Sequence, residues 1–301
     1  MLPNSLTFVP HEDDVDIVLP PNEQGYPEEL AKQDRDAAAL FAAGGEASTT
    51  LPDSWYVEDA DVEKLCAEND ERKTWPINRR SRFTNQQPTH ECTNHSEVCN
   101  FEIARNADLG IIYPEGPKAN FRYPESATSG DVFFSCMVPY NRANPRIYGG
   151  AIVRQILQFA MEDGQMPDHI QPHDYGFKHT MPGTMGQGNS NQSHGDWVPY
   201  TKMPEGWRDT AKWFKPREIV YPNDWRVGLS IVLRGRAVSV GRNGHAVPYS
   251  LYSFKTRMMG YIDSYNVVRW DSERLWKSCI ASGSFSIIST TQPADRMKPA
   301  G

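Results

Sequence analysis

The feature that most limits the fold of this chain is a hairpin signal late in the sequence. Arg236–Val240 and His245–Tyr252 are rich in strand-forming residues, and Arg242-Asn243-Gly244 stands between them. Asn-Gly adopts positive φ at low cost, as a tight turn between twisted strands requires. Met258–Ser264 and Ser282–Ile288 are further strand candidates. The first two thirds of the chain read differently. From Cys92 onward Val98, Phe101 and Ala104 recur at helical spacing. Between Gly150 and Asp163, Ile152, Val153, Ile156, Leu157 and Ala160 form one apolar face, and Gly164 supplies a stop. Helical patterns first and strands later predict an α+β protein, with a helical half over about 76–200 and a β half over about 201–290.

Residues 1–75 stand apart as an acidic arm, short of aliphatics, with helical stretches at Pro27–Ala43 and Asp59–Glu71. Such a segment buries too little surface to fold alone, so it needs a body to lie on. It reads as a propeptide-like cover or, preferably, as an arm binding a neighbouring subunit. Residues 183–196 (GTMGQGNSNQSHGD) lack aliphatics almost entirely and predict a mobile surface loop or lid. The basic run Arg79-Arg80-Ser81-Arg82 is read as a solvated loop.

The net charge of −7 argues against a general nucleic-acid binder. No stretch has the roughly 18 apolar residues of a membrane helix. The N-terminus lacks a basic segment followed by an apolar one, so no secretory signal is expected. The five cysteines (Cys66, Cys92, Cys99, Cys136, Cys279) are odd in number and scattered, a poor disulfide framework. The cytoplasm, or a particle assembled there, is the expected location.

Four side chains carry a specific chemistry. A cysteine opening a helix, as Cys92 does, is favoured as thiolate by the helix N-terminus. Gln86, six residues upstream, can donate its amide to an oxyanion. His245 heads an apolar strand and can act as base. Asp263 lies near the end of the next strand candidate, where it can accept the second imidazole N–H. Asn266 is a rival for that orienting role. Together these form a nucleophile, a base, an orienter and an oxyanion donor.

Their order and flanks resemble the papain-like cysteine peptidases. Asn85-Gln86 followed after five residues by Cys92 is similar to the family's Asn-Gln and nucleophile. Tyr148-Gly149-Gly150 resembles the Gly-Gly that lines the substrate cleft. Gly244-His245-Ala246-Val247 resembles the segment around the catalytic histidine. Asp263-Ser264-Tyr265, with Trp270 seven residues after Asp263, is similar to the Asn-Ser-Trp segment and its following Trp. The resemblance covers roughly residues 75–290. It implies a two-lobed fold, with a helical lobe and a β-barrel-like lobe flanking a cleft. It also implies a thiol hydrolase acting on peptide or isopeptide bonds, with Cys92, His245, Asp263 and Gln86 catalytic, Gly149 and Gly150 in contact with a peptide or protein substrate, and no cofactor.

This sequence departs from that pattern at several places. Thr93 replaces the aromatic after the nucleophile, and Asp263 replaces the orienting Asn. His90-Glu91 replaces Gly-Ser, and the Glu91 charge opposes thiolate formation. These substitutions leave room for a papain-fold structural subunit of a large assembly, such as a virus or phage particle, that has lost turnover. A zinc site from His90, Cys92, His95 and Cys99 is disfavoured, because nearly all of it lies on one helix. His169, His173, His179 and His194 are expected at the surface, and the eight tryptophans in packing.

Overall fold

The computed structural model describes residues 55–81, 83, 92–117, 134, 142–143, 151, 153–165, 207–211, 214, 216–222, 224–242, 245–264, 267–281 and 288–291. The expected helix at 27–43 and the loop 183–196 lie outside them. The helices are α1 (Val62–Arg72), α2 (Cys92–Asp108), α3 (Val153–Asp163), α4 (Trp207–Ala211), α5 (Trp225–Leu233) and α6 (Glu273–Ala281). The strands are β1 (Pro216–Val220), β2 (Val238–Arg242), β3 (His245–Ser253), β4 (Met258–Asp263), β5 (Val267–Asp271) and β6 (Ile288–Thr291).

The α+β class holds, with a helical region and an antiparallel four-stranded sheet in the order β2-β3-β4-β5. The sheet is not closed into a barrel. Its edges are β2 and β5, and β1 pairs separately with β6. Four strands are too few to close around a packed interior. Its apolar residues are covered instead by helices. Val238, Val247, Tyr249, Leu251 and Tyr261 share one core with Val62 and Cys66 of α1, Leu229 to Leu233 of α5, and Trp276 and Ile280 of α6. Thus helices recur within the β half. α5 begins where the Asp224 side chain accepts from Arg226 N–H at 2.9 Å. Gly228 lets α6 approach closely, since a Cβ there would stand 2.7 Å from Ile280 Cδ1.

The described part of the acidic arm, from residue 55, lies on this body. Val57, Val62, Cys66 and Trp75 are buried in the main core. Val57 N–H donates to Ser230 Oγ at 3.0 Å, and Asn69 Nδ2 donates to the Leu233 carbonyl at 2.9 Å. These bonds tie α1 to α5 through polar as well as apolar contacts.

Helix α2 runs through the middle of the molecule and is buried on all sides. Its apolar residues Val98 and Phe101 meet Phe134, Ala151, Ile156 and Phe214. Its polar residues are buried too, and several have dedicated partners. Asn100 Nδ2 donates to Ser239 Oγ at 3.2 Å, and Gln165 Nε2 to Glu97 Oε1 at 2.6 Å. Arg80 Nε meets Glu102 Oε2 at 2.7 Å, with both side chains 1% exposed. The basic run is therefore no solvated loop at Arg80, which the buried Glu102 carboxylate draws into the core.

Burial pushes the Glu97 carboxyl up to about 8; the nearby Glu102 charge acts in the same direction and the Gln165 bond opposes it. A raised folded pKa contributes stability that is complete below the ordinary value of 4.5 and is lost as pH rises through about 8. Each pH unit within that window changes the folding equilibrium by roughly tenfold. Glu97→Gln is expected to flatten this slope, raising Tm at pH 8 far more than at pH 4. A melting series against pH checks it, and parallel curves for the two proteins would contradict it.

Candidate active site

Cys92 is the first residue of α2, His245 the first of β3 and Asp263 the last of β4. The antiparallel pairing of β3 with β4 brings the start of one strand beside the end of the other. Side chains alternate along a strand, so His245 and Tyr249 share a face, as do Tyr261 and Asp263. Tyr249 pairs with Tyr261 in the register, which puts all four on the same face. His245 Nε2 lies 3.3 Å from Asp263 Oδ1. The Cys92 side chain lies close enough to the ring to raise the imidazole pKa.

The three side chains are withdrawn from water, at 5% exposure for Cys92, 7% for His245 and 3% for Asp263. Burial by itself would lower the histidine pKa. The bond to Asp263, the neighbouring Cys92 side chain and the Asp263 charge outweigh that and push His245 up to about 10. An imidazolium at neutral pH between sulfur and carboxylate is the result. Cys92 itself sits among Val153, Leu157, Ile219, Tyr221 and Ala246. Among the other cysteines, Cys66 and Cys99 are buried and Cys279 is half-buried. Burial, with the Asp70 charge, pushes the Cys66 thiol up to about 12.

No protein-family model matches the chain, and no curated protein does. Solved structures do. Xylellain, a cysteine protease from Xylella fastidiosa, superposes with a TM-score of 0.50 at 11% identity, over 82% of this chain and 95% of that one. The chain has a papain-like fold. The Amb a 11 cysteine protease of ragweed pollen, in its proform, matches with a TM-score of 0.47 at 10% identity, over 85% of this chain and 74% of that one. The stem bromelain precursor matches at 0.46 and 12% identity, over 88% and 93% of the two chains.

Of the residues singled out from sequence, Cys92, His245 and Asp263 come together within this papain-like fold. Gln86, Gly149, Gly150 and the rival Asn266 lie outside the described residues, as do His90 and Glu91. Trp270 is buried in the main core opposite Gly260, on the face of β5 away from Asp263. Among the described residues no group of three or more His, Cys, Asp or Glu is arranged to hold a metal ion. No helix among them is long and apolar enough to cross a membrane.

Sequence reasoning missed the charged groups that stand beside the trio. Arg269 Nε meets Asp263 Oδ2 at 2.8 Å. Further along the same face Arg242 Nη1 donates to Tyr261 Oη at 2.9 Å and pairs with Asp271, whose other oxygen accepts from Tyr249 Oη at 2.7 Å. Only the strand register places these residues together. A run such as Val267-Val268-Arg269-Trp270-Asp271 shows alternation but not the identity of the neighbour.

Proposed function

We propose that this chain is a papain-like thiol hydrolase acting on peptide or isopeptide bonds. The support comes from one arrangement above all: a buried imidazole bonded to a carboxylate, with a cysteine sulfur at a helix start nearby. His245 takes the Cys92 proton, and the sulfur attacks the carbonyl carbon. Gln86 and the Cys92 backbone N–H hold the oxyanion as it forms. The imidazolium then gives its proton to the leaving amine, and a thioester remains on Cys92. Water, deprotonated by His245, cleaves the thioester and restores the thiol. Asp263 keeps the ring oriented and stabilises its charge throughout. Gly149 and Gly150 are assigned to the substrate backbone by the same reading.

The burial of Cys92 under Val153, Leu157, Ile219, Tyr221 and Ala246 favours a second reading. In it the papain-like domain is a catalytically silent subunit of a large assembly, with residues 1–75 as its arm. Treatment of the native protein with a thiol-reactive peptide electrophile, followed by peptide mapping, separates the two. The hydrolase reading expects Cys92 to be modified first, ahead of Cys66, Cys99, Cys136 and Cys279. Protection of Cys92, or even labelling of all five cysteines, favours the silent subunit.

A further inference from the structure

The carboxylate of Asp263 is shared. Oδ1 faces His245 Nε2 at 3.3 Å, and Oδ2 meets Arg269 Nε at 2.8 Å. This sharing follows from the sheet. Arg269 stands opposite Tyr261 in the β4–β5 register, so it is the diagonal neighbour of Asp263 on the same face. A long side chain spans that diagonal. The Asp263 side chain is 4% exposed, whereas Arg269 is 33% exposed and reaches in from the edge strand β5.

Other charged and titratable groups near the ring, among the described residues, have partners or places of their own. Cys92 on α2 lies close enough to act on the imidazole pKa. Arg242 on β2 is opposite His245 in the register, but its guanidinium is bound to Asp271 and Tyr261. Tyr261 on β4 carries that bond through its hydroxyl. His95 and Arg80 line a small cavity with Ala246, Pro248 and Ile262, residues of the opposite alternation. Among the described residues, Arg269 is the cation that meets Oδ2 of the Asp263 carboxylate.

We infer that Arg269 is a positioning residue for the thiol site: it fixes the rotamer of Asp263 and balances the charge that an aspartate brings to the orienting position. This rests on the hydrolase reading for its purpose, but not for its test. A neutral amide in the orienting position needs no such counterion. A carboxylate left alone with the imidazolium would bind it too tightly and hold the proton that the leaving amine must receive. With Arg269 in place the charges alternate along the line imidazolium, carboxylate, guanidinium.

The test is a double-mutant cycle read on Cys92 alkylation by iodoacetate, an anion whose rate reports the imidazolium charge. Arg269→Met is expected to move the alkaline limb of the rate upward by roughly half a pH unit or more. Arg269→Lys should stay within a small fraction of that shift. In an Asp263→Asn background, Arg269→Met should move the limb little, because the charge it balanced has gone. No shift, a downward shift, or equal shifts in the two backgrounds would overturn the inference. Alkylation needs no substrate, so a protein that cleaves no peptide bond still answers the question about Arg269.

Discussion

Replacing His245 with alanine is expected to slow alkylation of Cys92 at neutral pH by roughly 100-fold or more. The imidazole, with its pKa raised to about 10, carries a positive charge near the sulfur. Its removal takes away the positive charge that attracts a developing thiolate. Asp263→Asn keeps a hydrogen-bond acceptor at Nε2 and is expected to slow the reaction much less. Alkylation kinetics by mass spectrometry, with Cys279 as the internal reference, provide the measurement. An equal rate in wild type and His245→Ala would mean that the ring does not act on the thiol.

The largest effect on stability is expected from the other side of α2. Arg80 and Glu102 form an ion pair with both side chains 1% exposed. Removing one partner strands a buried charge, which costs roughly 3–5 kcal/mol, while replacing both by apolar residues of similar volume costs far less. Arg80→Met should therefore lower stability by about that amount. Glu102 would retain only part of its set, including the Phe134 N–H that donates to Oε1 at 3.0 Å. The double variant Arg80→Met/Glu102→Met should recover much of the loss. Urea unfolding of the three proteins checks this, and additive losses in the double variant would contradict it.

Some of this was legible in the sequence for plain reasons. α3 has a clear apolar face, and Val153, Ile156, Leu157 and Ala160 all turn inward before Gly164 ends the helix with φ near 90°. The hairpin was legible in kind but not in register. β2 extends through Arg242, which pairs with His245, so Arg242 belongs to the strand and only residues 243–244 connect the two. The guanidinium bonds to Asp271 and Tyr261 hold Arg242 in the sheet, and those partners lie nineteen and twenty-nine residues further along. α5 was not legible because Trp225-Arg226-Val227-Gly228-Leu229-Ser230-Ile231-Val232-Leu233 is short and apolar nearly throughout, a pattern that fits a buried strand equally well. The interior of α2 was hidden by its composition. Asn94, His95, Glu97, Asn100, Glu102 and Arg105 read as a wet face, yet all are buried. Glu97, Asn100 and Glu102 take partners from distant segments, which no local pattern reveals. Cys92, His245 and Asp263 were legible because each sits at the end of an element and the flanking residues repeat a known order. Arg269 was not, because its role depends on which residue of β4 it faces.

The centre of the proposed site is an imidazole bonded to Asp263 and close to Cys92, and the protonation of that ring is its most direct test. Ring resonances of His245, assigned by comparison with the His245→Ala variant, should titrate with a midpoint near 10 in the intact protein. The midpoint should fall when Cys92 is changed to alanine, since the neighbouring sulfur helps to raise it. A midpoint near the ordinary value of 6.5, unmoved by Cys92→Ala, would contradict the account.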